Sequence, residues 1–297
     1  MKREALLILT ILLMISMLAC TQEQSPYEPD FRPPPEIEGY ELVWNEEFNE
    51  GTKPDSADWS YQRGFMRNEE LQWFQEDNVW LENGVAMFEG RRERVENPNY
   101  DSTSTDWRLN RPYAEYTSGH IETRRKQTFQ FGLFKVRARI DTAKGLWPAI
   151  WTLGRSDAER GWPASGEIDI MEYYRYEGEP TILANAAWAD STNAAVWDDM
   201  MIPFTHFLEQ DPDWPEKFHI WTMDWTEDYI KLYLDGELLN EIDLSVTLNH
   251  DGFNPFLHPH YILLNLSIGA LGGDPSDTPF PQYYEVDYVR VYQKADS

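Results

Sequence analysis

The chain has one cysteine in 297 residues, Cys20, so no disulfide can close within it. Basic residues are also scarce: 25 Lys and Arg stand against 52 Asp and Glu, a net charge of −27. Nucleic-acid binding needs cations that neutralise phosphates, and this balance argues against it. A heavily anionic polymer is likewise repelled at a distance unless a local basic groove draws it in. No long amphipathic helix with caps and no internal repeat is visible, so nothing points to helical layers or stacked repeats.

What is plentiful is aromatic: 13 Trp, 16 Tyr and 14 Phe. Aromatic side chains carry the largest apolar area per residue, so most of them belong to a core. At the N-terminus, Lys2 and Arg3 precede a mostly apolar run from Ala5 to Ala19 that stops at Cys20. A charged n-region followed by a short h-region is an export signal, and the run is short for a permanent span. A lone Cys directly after Leu18-Ala19 resembles the lipobox of bacterial lipoproteins, which implies removal of residues 1–19 and acylation of Cys20. The next stretch, through residue 38, is polar and holds five prolines between Pro26 and Pro35. It reads as an extended tether. The boundaries expected are therefore a signal at 1–19, a tether at 20–38 and one folded domain at 39–297.

Within that domain the hydrophobic period is 2. Phe134, Val136, Ala138 and Ile140 alternate with Lys135, Arg137 and Arg139, a half-buried strand by pattern. Ile230, Leu232 and Leu234 lead into Asp235-Gly236, a hairpin turn signal, and Asn83-Gly84 signals another. Many strands over a domain of this length predict an all-β fold of two packed antiparallel sheets, a sandwich or jelly roll.

The segment Gly166-Glu-Ile-Asp-Ile-Met-Glu172-Tyr173 carries the candidate chemistry. Three acids at these offsets arise by chance about once or twice in a chain of this composition, so context decides. Here they interrupt an apolar strand, and buried carboxylates cost solvation unless their face opens into a cleft. On a regular strand Glu167 and Asp169 share a face and Glu172 points to the other. One extra residue, a β-bulge at Ile170-Met171, restores Glu172 to the cleft face. Two flanking glutamates with a shorter Asp between them suit glycosidic cleavage with retention, which needs two carboxyl groups about 5–5.5 Å apart. A solvated acidic edge strand, or a metal site built from the same acids, remains open on spacing alone.

From about residue 40 to 293 the chain resembles glycoside hydrolase family 16, the laminarinase–agarase–lichenase group. The resemblance is carried by Glu167-Ile-Asp169-Ile-Met-Glu172, Tyr40 to Asn49, Arg67 to Gln72, Trp147-Pro-Ala-Ile-Trp151, Leu263 to Leu266 and Val286 to Tyr292, in the expected order. It implies a concanavalin-like β-jelly-roll sandwich of two antiparallel sheets with a concave substrate cleft, and endo-acting, retaining hydrolysis without a catalytic cofactor. By that resemblance Glu167 is the nucleophile, Glu172 the acid/base and Asp169 their support. Trp147, Trp151, Trp162, Asn68 and Glu70 are implied substrate contacts. A structural calcium on the convex side is implied too, held by the backbone carbonyls of Glu47 and Gly84 and the side chain of Asp287.

The expected substrate is a β-linked polysaccharide, first a β-1,3-glucan of the laminarin type, acted on by a monomeric, lipid-anchored enzyme of the cell envelope. Ala184-Asn185-Ala186-Ala187-Trp188 stands where laminarin-cutting relatives commonly carry a His-Gly pair, which keeps an endo-β-galactanase of agarase or porphyranase type in view. Arg91, Arg92, Arg94, Arg108, Arg111, Arg124, Arg125 and Lys126 bear on the same question. Facing the cleft, they favour a sulfated or acidic glycan; outside it, they are surface charge. A non-catalytic carbohydrate-binding sandwich is the reading from another class, and the intact acidic set argues against it.

Overall fold

The computed structural model describes residues 24–295. Cys20 and the expected export signal at 1–19 lie outside the described residues. Two antiparallel sheets face one another. The larger has eight strands, with Gly132–Arg139 and Gln282–Lys294 paired at its centre, and Tyr40–Glu46 paired to the second of these. The smaller has seven, running in the order Ala195–Pro203, Glu179–Ala189, Glu167–Tyr176, Leu146–Gly154, His260–Ile268, His120–Glu122, Ser60–Tyr61. Long crossovers between the sheets make this a jelly roll, the architecture that the family resemblance implied and that the alternating pattern alone left undecided.

The core between the sheets is built by the predicted alternation. Phe134, Val136, Ala138 and Ile140 are buried against Ile168, Ile170, Ile182 and Leu264 from the opposite sheet. Both hairpin signals are turns: Asn83 (φ 53°) and Gly84 (φ 80°) join one hairpin, Asp235 (φ 50°) and Gly236 (φ 86°) another. These positive φ values are what Asn-Gly and Asp-Gly tolerate.

One part of the expected tether belongs to the folded body. Residues 25–32 lie on the outer face of the eight-stranded sheet. The Arg137 guanidinium, almost fully buried, donates to the carbonyls of Ser25 (2.9 Å) and Glu28 (3.0 Å), and Phe218 N–H donates to the Pro26 carbonyl at 2.6 Å. Composition gave no sign of this, because most of the strap's bonds to the body are made by backbone groups, the carbonyls of Ser25, Pro26 and Glu28 and the N–H of Asp30.

Candidate active site

The site lies on the outer face of the seven-stranded sheet and is organised by the strand Glu167–Tyr176. Its register with the neighbouring strand runs Glu167↔Ala187, Ile168↔Ala186, Asp169↔Asn185 and then jumps to Glu172↔Leu183, so Ile170 and Met171 together oppose Ala184. That bulge turns Ile168, Ile170 and Met171 into the core and leaves Glu167 and Glu172 on the cleft lining. Asp169, 1% exposed, sits beneath them. The groove holds about 650 Å³, with Trp147, Trp151, Trp162, Tyr174 and Trp197 in its walls.

Each glutamate is held by an indole. Trp147 Nε1 donates to Glu172 Oε1 at 2.9 Å, and Trp162 Nε1 donates to Glu167 Oε2. Trp151 instead donates to Asn265 Oδ1 at 2.7 Å, while the Arg67 guanidinium lies 5.0 Å from its ring centre. Neither Asp169 oxygen meets a hydrogen-bond donor among the described residues. Buried between two glutamates, Asp169 is favoured in its neutral form, which adds no third negative charge to the pair.

The electrostatics separate the three acids. Burial raises all of them. Glu167 rises least clearly, because the Trp162 indole, Asp169 and the charge of Arg67 all favour its ionised form. Asp169 is held well above the ordinary carboxylate range by burial and then by the charges of Glu172 and Glu167. Glu172 is pushed up to about 8 by burial and by the charge of Glu167, against the pull of the Trp147 N–H. The environments are unequal: Glu172 keeps its proton up to about 8, while the Trp162 indole, Asp169 and Arg67 favour the ionised form of Glu167, the direction of difference that an acid and a nucleophile in double displacement require.

The other sequence candidates divide. Asn68 is exposed at the cleft edge in a turn with positive φ (55°). Glu70 is only 2% exposed and accepts from Gln72 Nε2 at 2.7 Å. It lines a small recess of the cleft beside Asn68, Trp147 and Glu172, and its charge adds to the upward push on Glu172. Trp162 is 52% exposed and stands 6.3 Å from Trp197, which is 41% exposed. Trp197, Asp199 and Met201 line the groove at alternate positions of one strand. The sequence reasoning did not single these three out and gave Arg67 no role of its own; Ala195–Pro203 reads as an apolar block, two acids and a second apolar block, so no alternation marked that wall.

The calcium expectation is not met by the residues present. The Asp287 carboxylate accepts the Asp30 N–H at 3.1 Å and pairs with the Arg137 guanidinium, both side chains almost fully buried. The Phe31 ring packs against Gly84, close enough that a Cβ there would lie 2.5 Å from it. Glu47 pairs with Arg290 at 2.7 Å. A cation and the strap thus occupy the surroundings of the only carboxylate in the expected set, and a divalent ion next to Arg137 would be repelled.

A jelly-roll sandwich with a tryptophan-walled groove and two opposed, unequally titrating glutamates on its floor defines a polysaccharide-cleaving hydrolase. The chain belongs to glycoside hydrolase family 16, whose profile matches residues 71–290. It is 32% identical to the glucan endo-1,3-beta-glucosidase A1 of Niallia circulans over 88% of its own length, and spans 39% of that protein. A solved structure reported with endo-acting O-glycanases, which prominent human gut bacteria express to initiate mucin breakdown, is 33% identical with a TM-score of 0.79. That likeness covers 88% of this chain and 94% of the other. The catalytic domain of the endo-1,3-beta-glucanase (laminarinase) of Thermotoga petrophila is 30% identical with a TM-score of 0.71, over 88% and 100%.

Proposed function

We propose that the enzyme cuts internal β-1,3 linkages of a glucan of the laminarin type by double displacement. Glu167 attacks the anomeric carbon while Glu172 protonates the leaving oxygen. Glu172 then takes a proton from the water that releases the sugar from Glu167. Asp169, favoured in its neutral form, adds no third negative charge to the pair. The carrying observation is the bulged strand, which sets both glutamates on the cleft lining with a buried acid between them. Likeness to the Niallia and Thermotoga glucanases supports the substrate. Sizing the products from laminarin, mixed-linkage glucan and agarose tests it: a ladder of short oligosaccharides from laminarin is expected, and its absence rejects the glucan.

A second reading is favoured by one observation. The structural likeness to the O-glycanase-associated protein, TM-score 0.79 against 0.71 for the laminarinase, supports an endo-β-galactosidase acting on galactose-containing glycans, in the agarase, porphyranase or host-glycan range. Release of oligosaccharides from a galactan, with laminarin untouched, selects it.

We further infer that Cys20 carries a lipid and that the monomeric enzyme works from the cell envelope. The n-region, the short apolar run and the Cys after Leu18-Ala19 support this. Cys20→Ser is expected to release the protein from membranes; continued membrane fractionation rejects the anchor.

A further inference from the structure

The basic residues between Arg91 and Lys126 separate into two groups. Arg91 pairs with Glu89, Arg94 approaches Glu115 at 3.9 Å and Arg108 pairs with Asp106 at 2.7 Å. Arg92 and Arg111 are spent on backbone carbonyls, those of Ser276 and Glu70, each at 2.7 Å. These five brace loops. Arg124, Arg125 and Lys126 behave differently: with Arg155 they line a cavity of about 410 Å³, floored by Tyr261. One carboxylate lines it, Asp157, and Arg124 takes it at 2.6 Å. Lys126 reaches the Ser56 carbonyl, while neither Arg125 nor Arg155 meets a carboxylate among the described residues. In a chain of net charge −27, four cations around a cavity with a single acid form a local field of the opposite sign.

The position of this cavity ties it to the cleft. Tyr261 packs with Ala149, Trp151 and Leu263, and Leu153 joins them at the margin. Leu153 pairs in register with Tyr261 on one side and with Glu167 on the other. Arg155 follows Leu153 by two residues, about 7 Å further along the chain. The basic cavity therefore opens beside the Glu167 end of the groove, within reach of a substituent on a sugar bound there.

We propose that this cavity is a subsite for an anionic group, a sulfate ester or a carboxylate, borne by the glycan whose backbone lies in the cleft. The inference rests on the reading of that cleft as a polysaccharide site. The guanidinium fork of Arg matches the oxygens of either anion with paired, charge-assisted hydrogen bonds. The remaining negative surface repels polyanions elsewhere, so an acidic glycan is drawn to this end of the groove and not spread over the protein.

The test compares one glucan in three forms: laminarin oligosaccharides left neutral, sulfated, or carboxymethylated. Titration calorimetry uses the full mature chain with Glu167→Ala, so that nothing is cut, and the same chain with Arg125→Ser and Arg155→Ser added. Both added changes are at exposed side chains that brace no other group, and circular dichroism verifies the fold. The single variant is expected to bind the sulfated form about tenfold or more tightly than the neutral one at low salt. That advantage should shrink with added NaCl and vanish in the triple variant, which keeps its affinity for neutral laminarin. An equal advantage for the carboxymethylated form extends the subsite to carboxylates, and an advantage for sulfate alone restricts it to sulfate esters. No advantage for either anion, or one that survives loss of both arginines, overturns the proposal. Should neutral laminarin not bind at all, the glucan reading falls by itself, and the same contrast is read on an agarose-type galactan with and without sulfate.

Discussion

The indole N–H of Trp147 donates to Oε1 of Glu172 at 2.9 Å, and the same ring stands edge-on to Tyr174 with centroids 5.5 Å apart. One side chain thus both walls the groove and aims its acid. Trp147→Phe keeps the aromatic wall and removes the donor. Without that N–H, which favours the ionised form, Glu172 should hold its proton to still higher pH. The alkaline limb of kcat/KM is expected to move upward and kcat to fall on the order of tenfold. An unchanged alkaline limb would show that the indole does not govern Glu172.

The wild-type pH profile follows from the two glutamates. Turnover needs Glu167 ionised and Glu172 protonated. Glu167 is raised above the ordinary carboxylate range by burial, so the acid limb should lie above pH 4.5. Glu172 keeps its proton up to about 8, which sets the alkaline limb. The three acids titrate as a set, and both limbs belong to that set. Initial rates of kcat/KM from pH 4 to pH 10 are expected to trace a bell; a profile still flat at pH 10 excludes Glu172 as the proton donor.

Stability should carry the same signature with a defined sign. In the unfolded chain Glu172 loses its proton near its ordinary value of 4.5, whereas the folded site holds it to about 8. Between those two values the folded state binds more protons than the unfolded one, so stability falls as pH rises. Glu172→Gln removes this dependence. At pH 9 the variant should be more stable than wild type by on the order of 5 kcal/mol, and at pH 4 the difference should close. Equal melting temperatures at pH 9 would mean that Glu172 ionises freely in the fold.

The strap and its buried ion pair stand where a calcium was expected. Chelator and added calcium should both leave the melting temperature within about 1 °C of its starting value. Arg137→Ala leaves Asp287 buried and unpaired, and should cost about 3–5 kcal/mol. Calorimetry on the two proteins, with and without EDTA, measures this directly. A rise of several degrees on adding calcium to wild type would restore the metal site.

Much of this was readable from the residues because it follows from the alternation of side chains along a strand. The sandwich came from Phe134 to Ile140 and its like, the turns from Asn83-Gly84 and Asp235-Gly236. The bulge followed from asking how Glu172 could share a face with Glu167. What escaped depends on pairings across the fold. The bond between Arg137 and Asp287 joins residues far apart in sequence, and the strap is held mostly by backbone groups, which every residue possesses. Trp197 reaches the cleft only because its strand forms the edge of the sheet beside Glu179–Ala189. The eight basic residues could not be sorted until their partners were visible, since charge along a sequence does not say which cations are already paired.

The central claim is that Glu167 and Glu172 act in two successive displacements at one carbon. Proton NMR of the first-formed products from a β-linked glucan tests it most directly, read before mutarotation sets in. The account predicts that the new reducing end appears first as the β-anomer, the configuration of the bond that was cut. First appearance of the α-anomer would mean a single displacement by water, with wrong roles for both glutamates.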